Sequence, residues 1–151
     1  AVAYERAGGV AAFAEKVTAD GPRGQDFDPL FFLAAAAAYA PDLSTPLPSV
    51  ALPFDPSTLE LRPEVWARYR AQDPLERIPA AAEGLRTMRL LYLDAGDRDE
   101  YGLQYAARQL VAAFGEVGAT VRYDEFEGGH RGTSHRYSES LPILIGALAE
   151  R

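Results

Sequence analysis

Apolar and polar positions follow two different rhythms along this chain of 151 residues. In residues 1–18, Val2, Ala3, Val10, Phe13, Ala14 and Val17 recur at helical spacing, with Gly8 and Gly9 interrupting the run. A Gly- and Pro-punctuated loop over 19–29 ends in Asp28-Pro29. Asp28 is suited to accept from first-turn amides and Pro29 at the first helical position loses no needed donor, so a helix is predicted over 29–40, stopping before Pro41. Residues 41–58 hold five prolines, which exclude a regular helix or a central strand. They leave room for a short edge hairpin, 49–54 and 59–61 flanking the turn Asp55-Pro56-Ser57-Thr58. Pro63 starts a further helix with Val65, Trp66 and Tyr69 on one side. Asp73-Pro74 opens another, interrupted at Pro79 and ending near Arg86.

The second half changes rhythm. Residues 88–94 (MRLLYLD) form a near-continuous apolar run, as in a strand buried on both faces. Residues 102–117 carry an amphipathic stripe of Leu103, Ala106, Ala107, Leu110, Val111 and Phe114, with Gly118 where a left-handed cap belongs. Residues 120–126 (TVRYDEF) alternate as a second strand, a Gly-rich loop follows, and 140–151 close the chain as a helix. Strand, crossover helix and strand at this spacing predict two parallel strands, hence an α/β class. Two strands do not make a stable α/β sheet and residues 1–85 add only a doubtful hairpin, so the rest of the sheet is expected outside these residues. A chain that opens at Ala1 already inside an element points the same way. The expectation is part of a larger domain.

Composition narrows the chemistry. The 22 Asp and Glu outnumber the 15 Lys and Arg, giving a net charge of −7 with no concentrated basic stripe, which argues against a nucleic-acid partner. The absence of cysteine removes disulfides, thiolate metal sites and a cysteine nucleophile. The longest apolar run spans eleven residues, too short to cross a bilayer, and Glu5, Arg6, Glu15 and Lys16 break any signal-peptide core. A cytoplasmic protein without a membrane partner is expected.

Ligands of open α/β sheets sit past the carboxyl ends of the strands. Two polar clusters fall there: residues 94–101 (DAGDRDEY) and residues 125–132 (EFEGGHRG). An acid at the first strand end and His130 at the second could meet across neighbouring strands. The acid would take the Nδ1 proton and leave Nε2 free as a base. Asp97 and Asp99 both qualify, and Asp99 has the competing role of capping the helix that follows. His135 reads as peripheral. Glu127, His130 and His135 lie in an irregular loop at poor metal-ligand spacing, so no metal is expected, and an acyl-enzyme route would need no organic cofactor. Phe31, Phe32, Trp66 and Tyr69 suit core packing better than an acyl pocket, and Arg86 and Arg89 suit flanking a strand better than binding an anion.

The run LLYLDAGDRDEYGLQYAARQLVAAFGEVGATVRYDEFEGGH, followed by an amphipathic helix, resembles the C-terminal part of an esterase branch of the α/β-hydrolase fold. That branch includes S-formylglutathione hydrolases and enterochelin esterases. AYERAGGVAAF, AAAYAPD and LRPEVWARYRAQDPLERI resemble the cap-like insertion of its bacterial members. The resemblance implies that residues 1–151 are the C-terminal part of one hydrolase domain, with 19–86 as the insertion and 87–151 as the final βαβα unit. It implies an acid three residues after the strand-end Gly96, which is Asp99, and a histidine in the Gly-His turn, which is His130. It further implies hydrolysis of a small ester by a Ser-His-Asp triad. The Gly-x-Ser-x-Gly elbow is absent, since Ser44, Ser49 and Ser57 lie in the Pro-rich stretch and Gly132-Thr133-Ser134 follows the histidine. Serine and oxyanion donors are then expected in an N-terminal half outside these residues. The alternative is a non-catalytic α/β fragment pairing through an exposed sheet edge, with that half or with a second copy as a homo-oligomer.

Overall fold

A computed structural model describes residues 1–149. The chain divides into two compact units at Asp73/Pro74, so the helix that Pro74 opens belongs with the second unit.

The first unit holds α1 (Val2–Ala7), α2 (Val10–Asp20), α3 (Phe27–Tyr39) and α4 (Pro63–Arg70). Its core gathers Tyr4, Phe13, Val17, Leu33, Ala36 and Leu52, one apolar stripe from each of α1–α3 closing on the Pro-rich segment. Tyr4 is its anchor: the ring meets Phe13 edge-on at 5.3 Å, and the hydroxyl donates to the Pro29 carbonyl at 2.7 Å. Burial pushes the Tyr4 phenol up to about 12. The helix predicted from Pro29 starts earlier, at Phe27, because a 3-10 turn over Gly24–Asp26 runs straight into it. Asp28 therefore caps nothing, and Asp26 accepts from the Arg23 N–H at 2.9 Å instead. Pro29 still falls in the first turn, where no helical bond needs its missing donor.

Three further expectations change. Phe31, Phe32 and Trp66 are not core: they are 61%, 46% and 42% exposed. Helical geometry explains the two phenylalanines, because Leu33, Ala36 and Ala40 take the inward face of α3 and its C-terminal end, leaving residues 31 and 32 beside that face. The edge hairpin shrinks to a single antiparallel bridge, Phe54 with Leu61, while Val50 bridges Pro41. Pro79 does not interrupt its helix.

The second unit begins with that helix, α5 (Pro74–Thr87), followed by β1 (Leu91–Gly96), α6 (Leu103–Glu116), β2 (Val121–Phe126) and α7 (Tyr137–Ala149). It is a mixed α/β unit whose two strands run parallel, with Leu91 opposite Val121 and Gly96 opposite Phe126. α6 packs on both strands and α5 packs on α6. β1 lies later than the apolar run 88–94 because pairing starts only where the Leu91 N–H reaches the Thr120 carbonyl, at 2.8 Å. Met88 stays half-exposed in the turn, and Ala95 and Gly96 complete the ladder. Two strands also leave residues 91–94 half-buried rather than covered on both faces. α6 ends as predicted: Gly118 adopts φ 75°, and the Ala119 N–H bonds back to the Phe114 carbonyl at 3.0 Å. Arg86 donates to the Val117 carbonyl at 3.3 Å, and Arg89 donates to the Ala147 and Leu148 carbonyls, so each satisfies the end of a helix. α7 starts three residues before the predicted 140, because a 3-10 turn over Thr133–Arg136 leads into it.

An ion pair ties α6 to β2. Arg108 holds the Glu125 carboxylate with two bonds of 2.6 and 2.7 Å, and the Tyr123 hydroxyl donates to the same carboxylate at 2.7 Å. The Arg108 and Tyr123 hydrogen bonds hold the Glu125 carboxyl down at about 2, against the opposing effect of desolvation. A carboxylate lowered on folding stabilises the native state above its unfolded pKa and loses that contribution as pH falls toward its native value. Glu125→Gln is therefore expected to lower the urea midpoint at neutral pH. The gap to the parent should close as pH is taken from about 5 to about 2, which a midpoint series over that range measures.

Candidate active site

The site forms where the two strands end. β1 runs into residues 97–102 before α6, and β2 runs into residues 127–132 before the 3-10 turn. The two loops stay zipped past the sheet, with the Asp97 N–H on the Phe126 carbonyl and the Arg98 N–H on the Gly128 carbonyl, both at 2.9 Å. Gly96 allows this closeness. A Cβ there would collide with the Gly128 carbonyl and stand 2.7 Å from the Gly129 carbonyl oxygen.

This approach brings Asp99 and His130 together across 31 positions of sequence, Asp99 Oδ2 lying 3.0 Å from His130 Nδ1. The Asp99 side chain is 4% exposed and the His130 side chain 42%, so the acid is sealed and the ring opens outward. Among the described residues nothing bonds His130 Nε2. The other Asp99 oxygen accepts the Tyr101 N–H at 2.8 Å and the Leu103 N–H at 3.5 Å. Burial opposes ionisation of Asp99, but the Tyr101 amide, the His130 ring and the Leu103 amide outweigh it and bring its pKa below the ordinary range. Asp99 thus partners the ring and also reaches the first amide of α6, while the N-cap position itself falls on Gly102. A buried ionised acid on Nδ1 makes Nδ1 the protonated nitrogen and leaves Nε2 as the acceptor. The Tyr101 ring meets the imidazole edge-on at 4.9 Å.

Asp97 does not touch the ring; its Oδ1 accepts the Gly128 N–H at 3.0 Å. His135 bonds the Gly132 carbonyl at 3.0 Å and meets the Phe126 ring edge-on. The loop beyond His130 is tied back by Arg136, which donates to Asp94 at 3.0 Å and to the Tyr92 hydroxyl at 3.3 Å. Glu100 went unnoticed in the sequence, masked among the acids of DRDEY; its Oε2 accepts the His130 backbone N–H at 2.8 Å. No spacing rule signals a side chain that binds a backbone amide 30 residues away.

Asp99, His130, Gly96, Leu103, Phe126 and Thr133 border an open cleft of about 200 Å³. A roomier cavity of about 340 Å³ lies in the first unit between Arg6, Lys16 and Phe13, with no acid–base pair. No family model matches the chain, and no curated protein does. The serines before Asp99 are engaged in local turns: Ser44 and Ser57 donate to Asp42 and Asp55 at 2.6 Å, and Ser49 donates to the Thr45 carbonyl at 3.2 Å. Among the described residues no group of three or more His, Asp or Glu is placed to hold a metal, and no helix is long and apolar enough to cross a membrane.

Proposed function

We propose that this chain supplies the base and the acid of a serine esterase, as the C-terminal part of an α/β-hydrolase domain. The observation that carries the reading is the Asp99–His130 pair at the carboxyl ends of two parallel strands, with Nε2 unengaged. His130 Nε2 takes the hydroxyl proton as the serine oxygen bonds to the ester carbonyl carbon. It returns that proton to the alkoxide as the C–O bond breaks, then activates water to clear the acyl group. Asp99 keeps the Nδ1 proton in place and stabilises the imidazolium.

The serine and its oxyanion amides come from a segment outside these 151 residues. The cleft of about 200 Å³ is smaller than the ~300–1,000 Å³ of ordinary ligand sites, consistent with walls supplied by that segment. The 151 residues alone are expected to hydrolyse p-nitrophenyl acetate no faster than buffer. A gene product carrying Gly-x-Ser-x-Gly upstream should turn it over, and a gene without that motif would sink the esterase reading.

A second reading keeps the fold and drops the chemistry. Tyr137, Leu141, Ile145 and Leu148 of α7 are 50–70% exposed at helical spacing, and the two-stranded sheet has unpaired outer edges. A chain that only associates through these surfaces would do so with His130 replaced.

A further inference from the structure

A histidine that serves as a base must be fixed at two levels, the tilt of its ring and the path of its backbone. Asp99 holds the ring. Past the sheet the Gly128 carbonyl still accepts the Arg98 N–H, but the N–H groups of Gly128 and His130 find side-chain acceptors in place of strand carbonyls. Asp97 accepts the Gly128 N–H at 3.0 Å, and Glu100 accepts the His130 N–H at 2.8 Å. The Glu100 carboxylate also lies against the chain at Gly129, where a Cβ would stand 2.8 Å from one of its oxygens and 3.0 Å from the other. A residue with a side chain at 129 would push the carboxylate off the amide. Hydrogen bonding to the His130 amide is the largest of the influences that keep the Glu100 carboxyl below the usual glutamate range.

From this geometry we infer that Glu100 is a positioning residue for His130, its carboxylate fixing the backbone from which the imidazole reaches Asp99. Adjacent residues of one loop thus grip the same histidine twice, Asp99 by the ring and Glu100 by the main chain. Glu100 is itself exposed, so packing does not account for its placement. Without the carboxylate the His130 amide would turn to water and the ring would lose its fixed distance to Asp99. The catalytic consequence rests on the esterase reading, whereas the positioning itself is a property of this chain and is measurable on it.

The test compares Glu100→Ala and Glu100→Gln in the 151-residue chain by nitrogen-15 NMR, following exchange of the His130 backbone amide and the protonation of its ring nitrogens. Glutamine retains an acceptor oxygen; alanine does not. Glu100→Ala is expected to speed exchange of the His130 amide by about tenfold or more and to weaken the preference for a proton on Nδ1. Glu100→Gln should restore both to near the parent, and amides of β2 should exchange at the parent rate in both variants. An alanine variant with parental His130 exchange and ring protonation would overturn the inference, as would a glutamine variant no better than alanine. Should alanine unfold the unit, the β2 amides reveal it. Glu100→Gln against Glu100→Lys, which offers no acceptor, then decides by the same two signals. These readouts are independent of hydrolysis, so a failed esterase reading and a failed Glu100 assignment are distinguishable.

Discussion

Hydrolysis of p-nitrophenyl acetate by the serine-bearing protein is expected to fall about 10⁴-fold in His130→Ala, with little change in KM. The loss is large because one nitrogen performs two proton transfers, and among the described residues no other side chain bonds at Nε2 to take over from it. Asp99→Asn should lower kcat by about 10²–10⁴-fold with the fold intact. An asparagine amide donates where the carboxylate accepted, turning the proton toward Nε2, the nitrogen that must receive one. Asp97→Asn gives the contrast. Its partner is the Gly128 amide, which an asparagine oxygen still satisfies, so activity should stay within about threefold of the parent. A His130→Ala protein that retains its rate would refute the assignment of the base. An equal loss in the Asp97 and Asp99 variants would refute the assignment of the acid.

Gly96→Ala is expected to destabilise the second unit by about 2–3 kcal/mol, read from the urea midpoint. The added methyl would meet the Gly128 and Gly129 carbonyls, which are backbone and cannot swing aside as a long side chain would. The strand end and the loop carrying His130 must separate, so the Asp99–His130 contact should be lost together with stability. Gly84→Ala is the matched control. That glycine lies inside α5 with open space around it, and alanine should stabilise by about 0.5–1 kcal/mol through helix propensity. A Gly96→Ala chain as stable as the parent would mean that the two loops do not meet as described.

The parallel strands, the helix between them and its Gly118 cap were legible because each announces itself within a short window. Alternation in TVRYDEF and the stripe from Leu103 to Phe114 are local periodicities that announce a strand and a helix, although α6 buries Ala107 and Gln104 while Leu103 and Ala106 of the stripe stay exposed. Boundaries were less legible. Met88 and Leu90 are as apolar as Leu91, yet the ladder begins at Leu91 because that is where a partner strand lies. The aromatic residues misled for a similar reason: Phe31 and Phe32 are core-type residues, but the face of α3 that turns inward is set by Leu33 and Ala36.

At the site, the residue types at the strand ends pointed to His130 and an acid within residues 94–101 as candidates, and the resemblance narrowed that acid to Asp99 with Asp97 as its rival. It favoured Asp99 over Asp97, and the tertiary structure shows that Asp99 is the one that meets the ring. Asp97 and Asp99 are two residues apart with the same side chain; they differ in what the turn after Gly96 places before them, the Gly128 amide for one and, for the other, an imidazole beside the Tyr101 and Leu103 amides. Glu100 was invisible for the same reason, because its partner is a main-chain N–H that every residue but proline carries. Sequence patterns encode local periodicity and side-chain chemistry, and from these the chain determined its α/β class, its strand-end acids and its one well-placed histidine. The approach of two loops at Gly96, and with it the pairing of Asp99 with His130 and of Glu100 with the His130 backbone, was decided by tertiary structure, because contacts across 30 residues depend on how the strands pair.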